Sequence, residues 1–216
     1  MSSSAASRSL AGHRYVWQPG AVPDAPVLLL LHGTGGDETS LLPLAPMIAP
    51  GAAILSPRGN VLEQGMPRFF KRLAEGVFDL EDLRVRTAEL ARFIDAAAAE
   101  HSLDRSRVYA VGYSNGANVA TSLMLTQPAA FAGAVLYRAM MPFQPEGAVP
   151  SLLGVGALLL SGRADPIVPA DQVERLAAML RDAGAEVRLD WLPGGHQLGS
   201  ADVSRTREWL DSRLEK

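Results

Sequence analysis

The chain contains no cysteine. That absence excludes a disulfide framework, a thiolate zinc site and a cysteine nucleophile. It also fits a reducing compartment, so a cytoplasmic location is expected. Positive charge is not in excess either. Lys and Arg number 20 against 23 Asp and Glu, a formal net charge of −3. Such a balance gives no basic footprint for nucleic acid and no polybasic patch for a membrane surface. Long apolar runs are missing: the longest, Val27–Leu31, falls far short of the roughly 20 residues that span a bilayer, so no membrane insertion is expected. The start of the chain, MSSSAASRSLAGHRY, lacks the apolar core of a secretory signal. Its Ser- and Ala-rich residues 1–12 are expected to form a flexible tail, with 13–216 a single domain.

What is present is enough apolar material for one full core, 48% hydrophobic in 216 residues. Short apolar runs alternate with amphipathic segments. VLLLL (27–31), AAIL (52–55), VYAVG (108–112), GAVLY (133–137) and GALLLSG (156–162) are nearly continuous in apolar character, as parallel strands buried on both faces should be. VRLDWL (187–192) alternates and suits a strand near the sheet edge; RYVWQP (14–19) is expected to lead in as an extra strand. Between them, Leu83, Leu90, Ile94 and Ala97, and again Val173, Leu176, Ala177 and Leu180, are spaced as single helix faces. A last helix begins near Ser200, a good N-cap. Strand–helix alternation with short connections implies an α/β fold: a mostly parallel twisted sheet with helices on both faces. No insertion between strands is long enough for a large cap domain. The longest irregular stretch, Pro57 to Asp79, is of a length that usually carries function or a short helix of its own.

One turn carries the functional signal. In RVYAVGYSNGANVA, Ser114 stands between Gly112 and Gly116, at the junction of a strand and the helical segment 115–127. Gly-x-Ser-x-Gly alone is weak, since a glycine-rich turn with a polar cap gives the same letters. Placed between a buried strand and a helix, it describes a strained corner that lifts a serine hydroxyl above the sheet. A serine is a poor nucleophile without a base, and the base needs an orienter. In this fold the order along the chain is serine, acid, histidine. Only His196, in LPGGHQLGS, follows Ser114; His13 borders the tail, His101 ends a helix, and His32 ends the first buried strand. For the acid, Asp165 in SGRADPIVP lies just past a strand, whereas Asp171 falls where a helix start wants a capping acid. Asp190 sits within a strand and Asp202 at a helix start. Ser114, Asp165 and His196 would then emerge at the carboxyl ends of strands, where open α/β sheets bind ligands.

Acyl transfer also needs donors for the oxyanion. These come from the residue after the nucleophile, Asn115, and from the loop after an early strand, where LLLLHGTGGDE makes Thr34 the candidate and leaves His32 to brace the loop. The same loop lacks the Gly-Lys-Ser/Thr ending of a phosphate cradle, and Glu38 occupies the place of the third glycine of a dinucleotide fingerprint. Met66, Phe69 and Phe70 in the 57–79 stretch, and Met140 and Met141 after strand 133–137, are candidates to line the mouth of the site, with core packing the alternative for each. Arg68 is either a partner for a substrate acid or a solvated surface arginine.

LLLLHGTGGDE, GYSNGANVA, SGRADPIVP and GGHQ, in that order, resemble the phospholipase/carboxylesterase group of α/β-hydrolases, relatives of the acyl-protein thioesterases. SPRGNVLEQGMPRFFKRLAEGVFDLEDL is similar to a bacterial carboxylesterase branch linked to hydroquinone and quinone resistance. The likeness covers roughly residues 25–215. It implies Ser114 as nucleophile, Asp165 as acid, His196 as base, and Thr34 and Asn115 as oxyanion donors. The chain departs from dienelactone hydrolases, which use a cysteine, and from acyl-protein thioesterases, which carry glutamine at the place of Asn115. The expected activity is hydrolysis of small-molecule carboxylic esters, of short to medium chain or aryl type, with no metal and no cofactor. Acyl-protein thioesterase, lysophospholipase, acyltransferase and perhydrolase activities share this residue set, and a non-catalytic binding protein or a homodimer is compatible with it.

Overall fold

Eight strands make one sheet in this computed structural model, which describes residues 6–127, 130–145 and 147–214. Along the chain the elements are β1 (Ser7–Leu10), β2 (His13–Gln18), β3 (Val27–Leu31), α1 (Ala45–Ile48), β4 (Ala53–Pro57), β5 (Val61–Glu63), β6 (Met66–Arg68), β7 (Arg72–Ala74) and β8 (Val77–Phe78). They continue with α2 (Leu80–His101), β9 (Val108–Tyr113), α3 (Asn115–Thr126), β10 (Gly133–Tyr137), β11 (Gly156–Gly162), α4 (Ala170–Asp182), β12 (Glu186–Leu192) and α5 (Ser200–Leu214). The sheet order is β1-β2-β4-β3-β9-β10-β11-β12. Pairing is antiparallel at β1–β2 and β2–β4 and parallel from β4 to β12.

The apolar runs account for the layering. Every residue of β3, β4, β10 and β11 is buried, so each strand feeds a core on both faces. In β3, Val27, Leu29 and Leu31 enter one core and Leu28 and Leu30 the other, as the two-residue period of a strand requires. The first core is roofed by α2, α3 and α4 through residues such as Leu90, Leu123 and Leu176. The second lies under α1 and α5, with Ile48, Trp209 and Leu210. No helix among the described residues is long and apolar enough to cross a membrane.

From β3 the chain steps outward to β4, then returns through α2 to β9 on the other side of β3. That reversal opens a crevice beyond the carboxyl ends of β3 and β9, the place where ligands bind in such sheets. Both the loop after β3 and the turn holding Ser114 border it.

Two expectations need correcting. Residues 7–10, assigned to a tail over 1–12, pair as an antiparallel edge strand with β2, Leu10 opposite His13; residues 1–5 lie outside the described residues. The hairpin is closed by Ala11 and Gly12, both at positive φ (44° and 83°), the geometry of a tight primed turn. Alanine does not advertise that conformation, so the sequence reading missed it. The stretch 57–79 is not irregular either, and its regular elements are not a short helix: β5–β6 and β7–β8 form two small antiparallel hairpins. Strands of two or three residues are too short to leave a periodic signal.

Candidate active site

Ser114 sits on the tight corner between β9 and α3, with φ 52° and ψ −112°. A non-glycine residue there is strained, and the corner is held by a hydrogen bond from the Ser114 N–H to the Tyr137 carbonyl at 2.9 Å. The flanking glycines are steric necessities. A Cβ at Gly112 would lie 2.7 Å from the Ala117 backbone, and one at Gly116 only 2.0 Å from the Leu31 carbonyl oxygen. Glycine at these positions lets α3 approach both its own strand and β3.

Above this corner the side chains predicted to cooperate do meet. His196 Nε2 lies 3.0 Å from Ser114 Oγ, and its Nδ1 lies 2.9 Å from Asp165 Oδ2. Asp165 follows β11 and is nearly fully buried; its Oδ1 accepts from the backbone N–H groups of Ile167 (2.9 Å) and Val168 (3.2 Å). A carboxylate so fixed holds the imidazole with Nδ1–H toward it, which leaves Nε2 free to take a proton from the serine. Asp171, the competing acid, lies in the first turn of α4 and pairs with Arg175.

The His196 loop is held from beneath by a residue the sequence did not single out. Arg138, just past β10, is buried and has a positive φ of 55°. Its guanidinium donates to the carbonyls of Gly195 (2.9 Å) and Gln197 (2.8 Å), the residues on either side of His196. The same group makes a bidentate pair with the buried carboxylate of Asp202, at 2.7 and 2.9 Å. Tyr113 adds a bond from its hydroxyl to the His196 carbonyl at 3.2 Å. An arginine inside an apolar-looking run, RAMMP, gives no linear signal of such a role.

Thr34 and Asn115 both border the crevice beside Ser114, and neither backbone N–H has a protein acceptor among the described residues. The Thr34 loop is pinned by Gly35 N–H donating to the Pro67 carbonyl at 2.9 Å, and Arg68 Nη1 donates to Thr34 Oγ1 at 2.6 Å. His32 braces the loop as expected. It is buried, contacts the Gly33 carbonyl through Nδ1 (2.7 Å), and accepts from the Gly59 N–H at Nε2 (3.0 Å). Burial pushes its pKa down, which keeps the ring neutral for that acceptance. The Asn115 side chain accepts from the Phe69 N–H at 2.7 Å, tying the hairpins to the corner, while its Nδ2 is buried without a partner among the described residues.

The mouth differs from expectation. Phe69 and Phe70 are only 2% and 0% exposed. They anchor the hairpin insertion to the body, Phe69 against His32 (centroids 4.7 Å apart) and Phe70 edge-on to Phe78 (5.0 Å). A pair of small hairpins needs such apolar anchors to stay docked, and that need places both rings in the core. Met66 is partly exposed and lies beside Gly35 rather than in the crevice. Met141 faces a separate groove with Gln144, Arg175 and Met179, and its neighbour Met140 reaches the Ser114 crevice instead. Arg68 is not a solvated surface arginine: it is 2% exposed and borders the crevice. The crevice measures about 210 Å³, with Phe78, Met140, Ile167 and Val168 as its apolar part. Among the described residues no cluster of three or more His, Asp or Glu side chains is placed to hold a metal ion.

A serine on a strained strand–helix corner, at the switch point of a mostly parallel sheet, with an imidazole and a buried carboxylate aligned behind it, defines the α/β-hydrolase class. The family model for Phospholipase/Carboxylesterase matches residues 13–213, and the chain belongs to that family of carboxylic-ester hydrolases. It is 48% identical over 188 residues to MhqD of Bacillus subtilis (strain 168), named a hydrolase, covering 87% of this chain and 94% of that protein. It is similar in structure to the Bacillus cereus carboxylesterase (47% identity, TM-score 0.90, 93% of this chain and 94% of that one). It is also similar to YahD in a structure with malic acid (36% identity, TM-score 0.87, 93% and 99%).

Proposed function

We propose that the protein is a serine carboxylesterase for small esters, with Ser114 as nucleophile, His196 as general base and acid, and Asp165 as the orienting carboxylate. The observation that carries this reading is the pair of contacts through one imidazole, 3.0 Å to Ser114 Oγ and 2.9 Å to Asp165 Oδ2. In the first half-reaction Ser114 Oγ adds to the ester carbonyl carbon as its proton passes to His196 Nε2. The carbonyl oxygen becomes an oxyanion held by the unengaged N–H groups of Thr34 and Asn115. The carbon–oxygen bond to the alcohol then breaks, and the alcohol leaves with the proton from His196. In the second half, water gives a proton to His196 and adds to the acyl-serine, releasing the acid and restoring Ser114.

A crevice of about 210 Å³ is smaller than pockets for drug-sized ligands, roughly 300–1,000 Å³, which supports short acyl groups over long lipid chains. Malic acid in the YahD structure is likewise a small acid. The test is labelling with a fluorophosphonate probe and mass mapping of the modified residue, followed by turnover of methyl and nitrophenyl esters of increasing acyl length. Label on Ser114 and fastest turnover for short chains are expected. Label elsewhere, or no ester turnover, overturns the reading.

A further inference from the structure

The crevice has a charged wall that ester hydrolysis alone does not require. Arg68 on β6 and Arg72 on β7 both border it, and both point their Nε toward one carboxylate, Glu63 on β5. Arg72 Nε donates to Glu63 Oε1 at 2.8 Å, and Arg68 Nε lies 3.2 Å from Glu63 Oε2. That second contact is ionic without hydrogen-bond alignment, since Oε2 is buried and has no hydrogen-bond partner among the described residues. Two guanidinium groups thus share one carboxylate, and no second carboxylate contacts either of them among the described residues. Burial and the nearby Arg72 push the Arg68 pKa down while Glu63 holds it up, consistent with crowded like charges. Arg138 also borders the crevice, but Asp202 balances it. Glu75 stands exposed at the rim with no ion pair among the described residues.

Arg68 has a structural occupation, with bonds to Thr34 Oγ1 (2.6 Å) and the Phe70 carbonyl (3.1 Å). Arg72 has none beyond Glu63, and its terminal amino groups have no protein acceptor among the described residues. A planar guanidinium held by a carboxylate at Nε, with its outer donors open as in Arg72, forms a receptor for a second carboxylate. Its side of the crevice can be assigned. The leaving alcohol must take its proton from His196, so it departs there; the oxyanion is held at Thr34 and Asn115, and the acyl chain is left the remaining side of the crevice, which Arg68 and Arg72 border.

We propose that the preferred substrates are half-esters of short dicarboxylic acids, whose free carboxylate is received by Arg72 with Arg68 behind it. This rests on the carboxylesterase reading above. The experiment compares monomethyl glutarate with its neutral isostere methyl 5-methylhexanoate, each followed by acid release in a pH-stat at low and high salt, for the wild type and for Arg72→Gln and Arg72→Lys. The wild type should favour the half-ester in kcat/KM by about tenfold, the scale of one charge-assisted hydrogen bond. That preference should shrink with salt and collapse in Arg72→Gln, chiefly through a higher KM, with partial recovery in Arg72→Lys. A wild-type preference for the neutral ester, or an unchanged ratio in Arg72→Gln, overturns the proposal while leaving the esterase reading intact. Turnover of neither ester, with no fluorophosphonate labelling of Ser114, overturns both.

Discussion

Arg138 and Asp202 form a fully buried bidentate ion pair, 2.7 and 2.9 Å, and the same guanidinium grips the backbone on both sides of His196. The pair therefore links β10 and α5 to the loop that presents the imidazole. Arg138 is a positioning residue in this reading, since it acts on Ser114 only through His196. Loss of the Gly195 and Gln197 bonds lets Nε2 wander from its 3.0 Å contact, and misplacement of about 1 Å can cost roughly a hundredfold in rate.

Arg138→Met and Asp202→Leu singly leave a buried charge unpaired, which costs about 3–5 kcal/mol of stability. The double substitution removes both charges and should recover much of that loss. Activity should behave differently. Turnover and fluorophosphonate labelling should stay low in the double variant, with KM little changed, because the carbonyls beside His196 still lack their donor. Restored stability with restored kcat would reduce the pair to a packing element.

This pair also marks the limit of what could be read from the chain. Continuous apolar runs identified β3, β4, β9, β10 and β11 because burial on both faces leaves no polar positions to confuse the pattern. The convergence of Ser114, Asp165 and His196 was legible because Ser114 and Asp165 each follow such a strand, β9 and β11, and His196 follows the alternating strand β12 and is the one histidine after Ser114. Arg138 follows a strand too, but the partners through which it holds the His196 loop are backbone carbonyls more than fifty residues away, and carbonyls have no letter code. Phe69 and Phe70 were misplaced for the converse reason: an apolar residue in an apparent loop reads as a ligand contact until the hairpins it anchors are seen.

Acidification should destabilise the fold through its buried histidines. His13, His32 and His101 all have pKa values lowered below the ordinary histidine value, in each case foremost by burial. The unfolded chain then binds more protons than the native one as pH drops past about 6.5. Their stabilising contribution is complete above that pH and is lost as the pH falls toward the depressed native values. Urea unfolding at pH 7.5 and 5.5 should show the midpoint falling on acidification, and the fall should shrink in the variant His13→Gln, His32→Gln. A midpoint independent of pH over that interval would contradict the buried neutral state.

Gly116→Ala should be among the most damaging single-methyl changes in the protein. The new Cβ would meet backbone on β3, with the Leu31 carbonyl oxygen at 2.0 Å and the His32 oxygen at 2.6 Å, and neither can rotate away. Overpacking of a close-packed core costs roughly 1–3 kcal/mol, more where backbone must shift. Gly147→Ala is the control, because nothing lies within 4 Å of its Cβ position, and a change within about 0.5 kcal/mol is expected there. Thermal melts of the two variants should separate clearly.

Ser114 itself stores strain. Its φ of 52° with ψ of −112° belongs to a region that glycine enters freely and a side-chain-bearing residue enters at a cost of about 1–3 kcal/mol. Glycine at this position relieves that cost, set against the greater freedom of the unfolded chain, which offsets up to about 1 kcal/mol. Ser114→Gly should therefore melt at a higher temperature than Ser114→Ala, which keeps the strain, while both lose ester turnover by several orders of magnitude. Because the two variants lack the same hydroxyl, their difference in melting temperature isolates the backbone contribution. If Ser114→Gly melts no higher than Ser114→Ala, the corner is not strained in solution, and the hydroxyl is presented without the conformational tension that the dihedral angles imply.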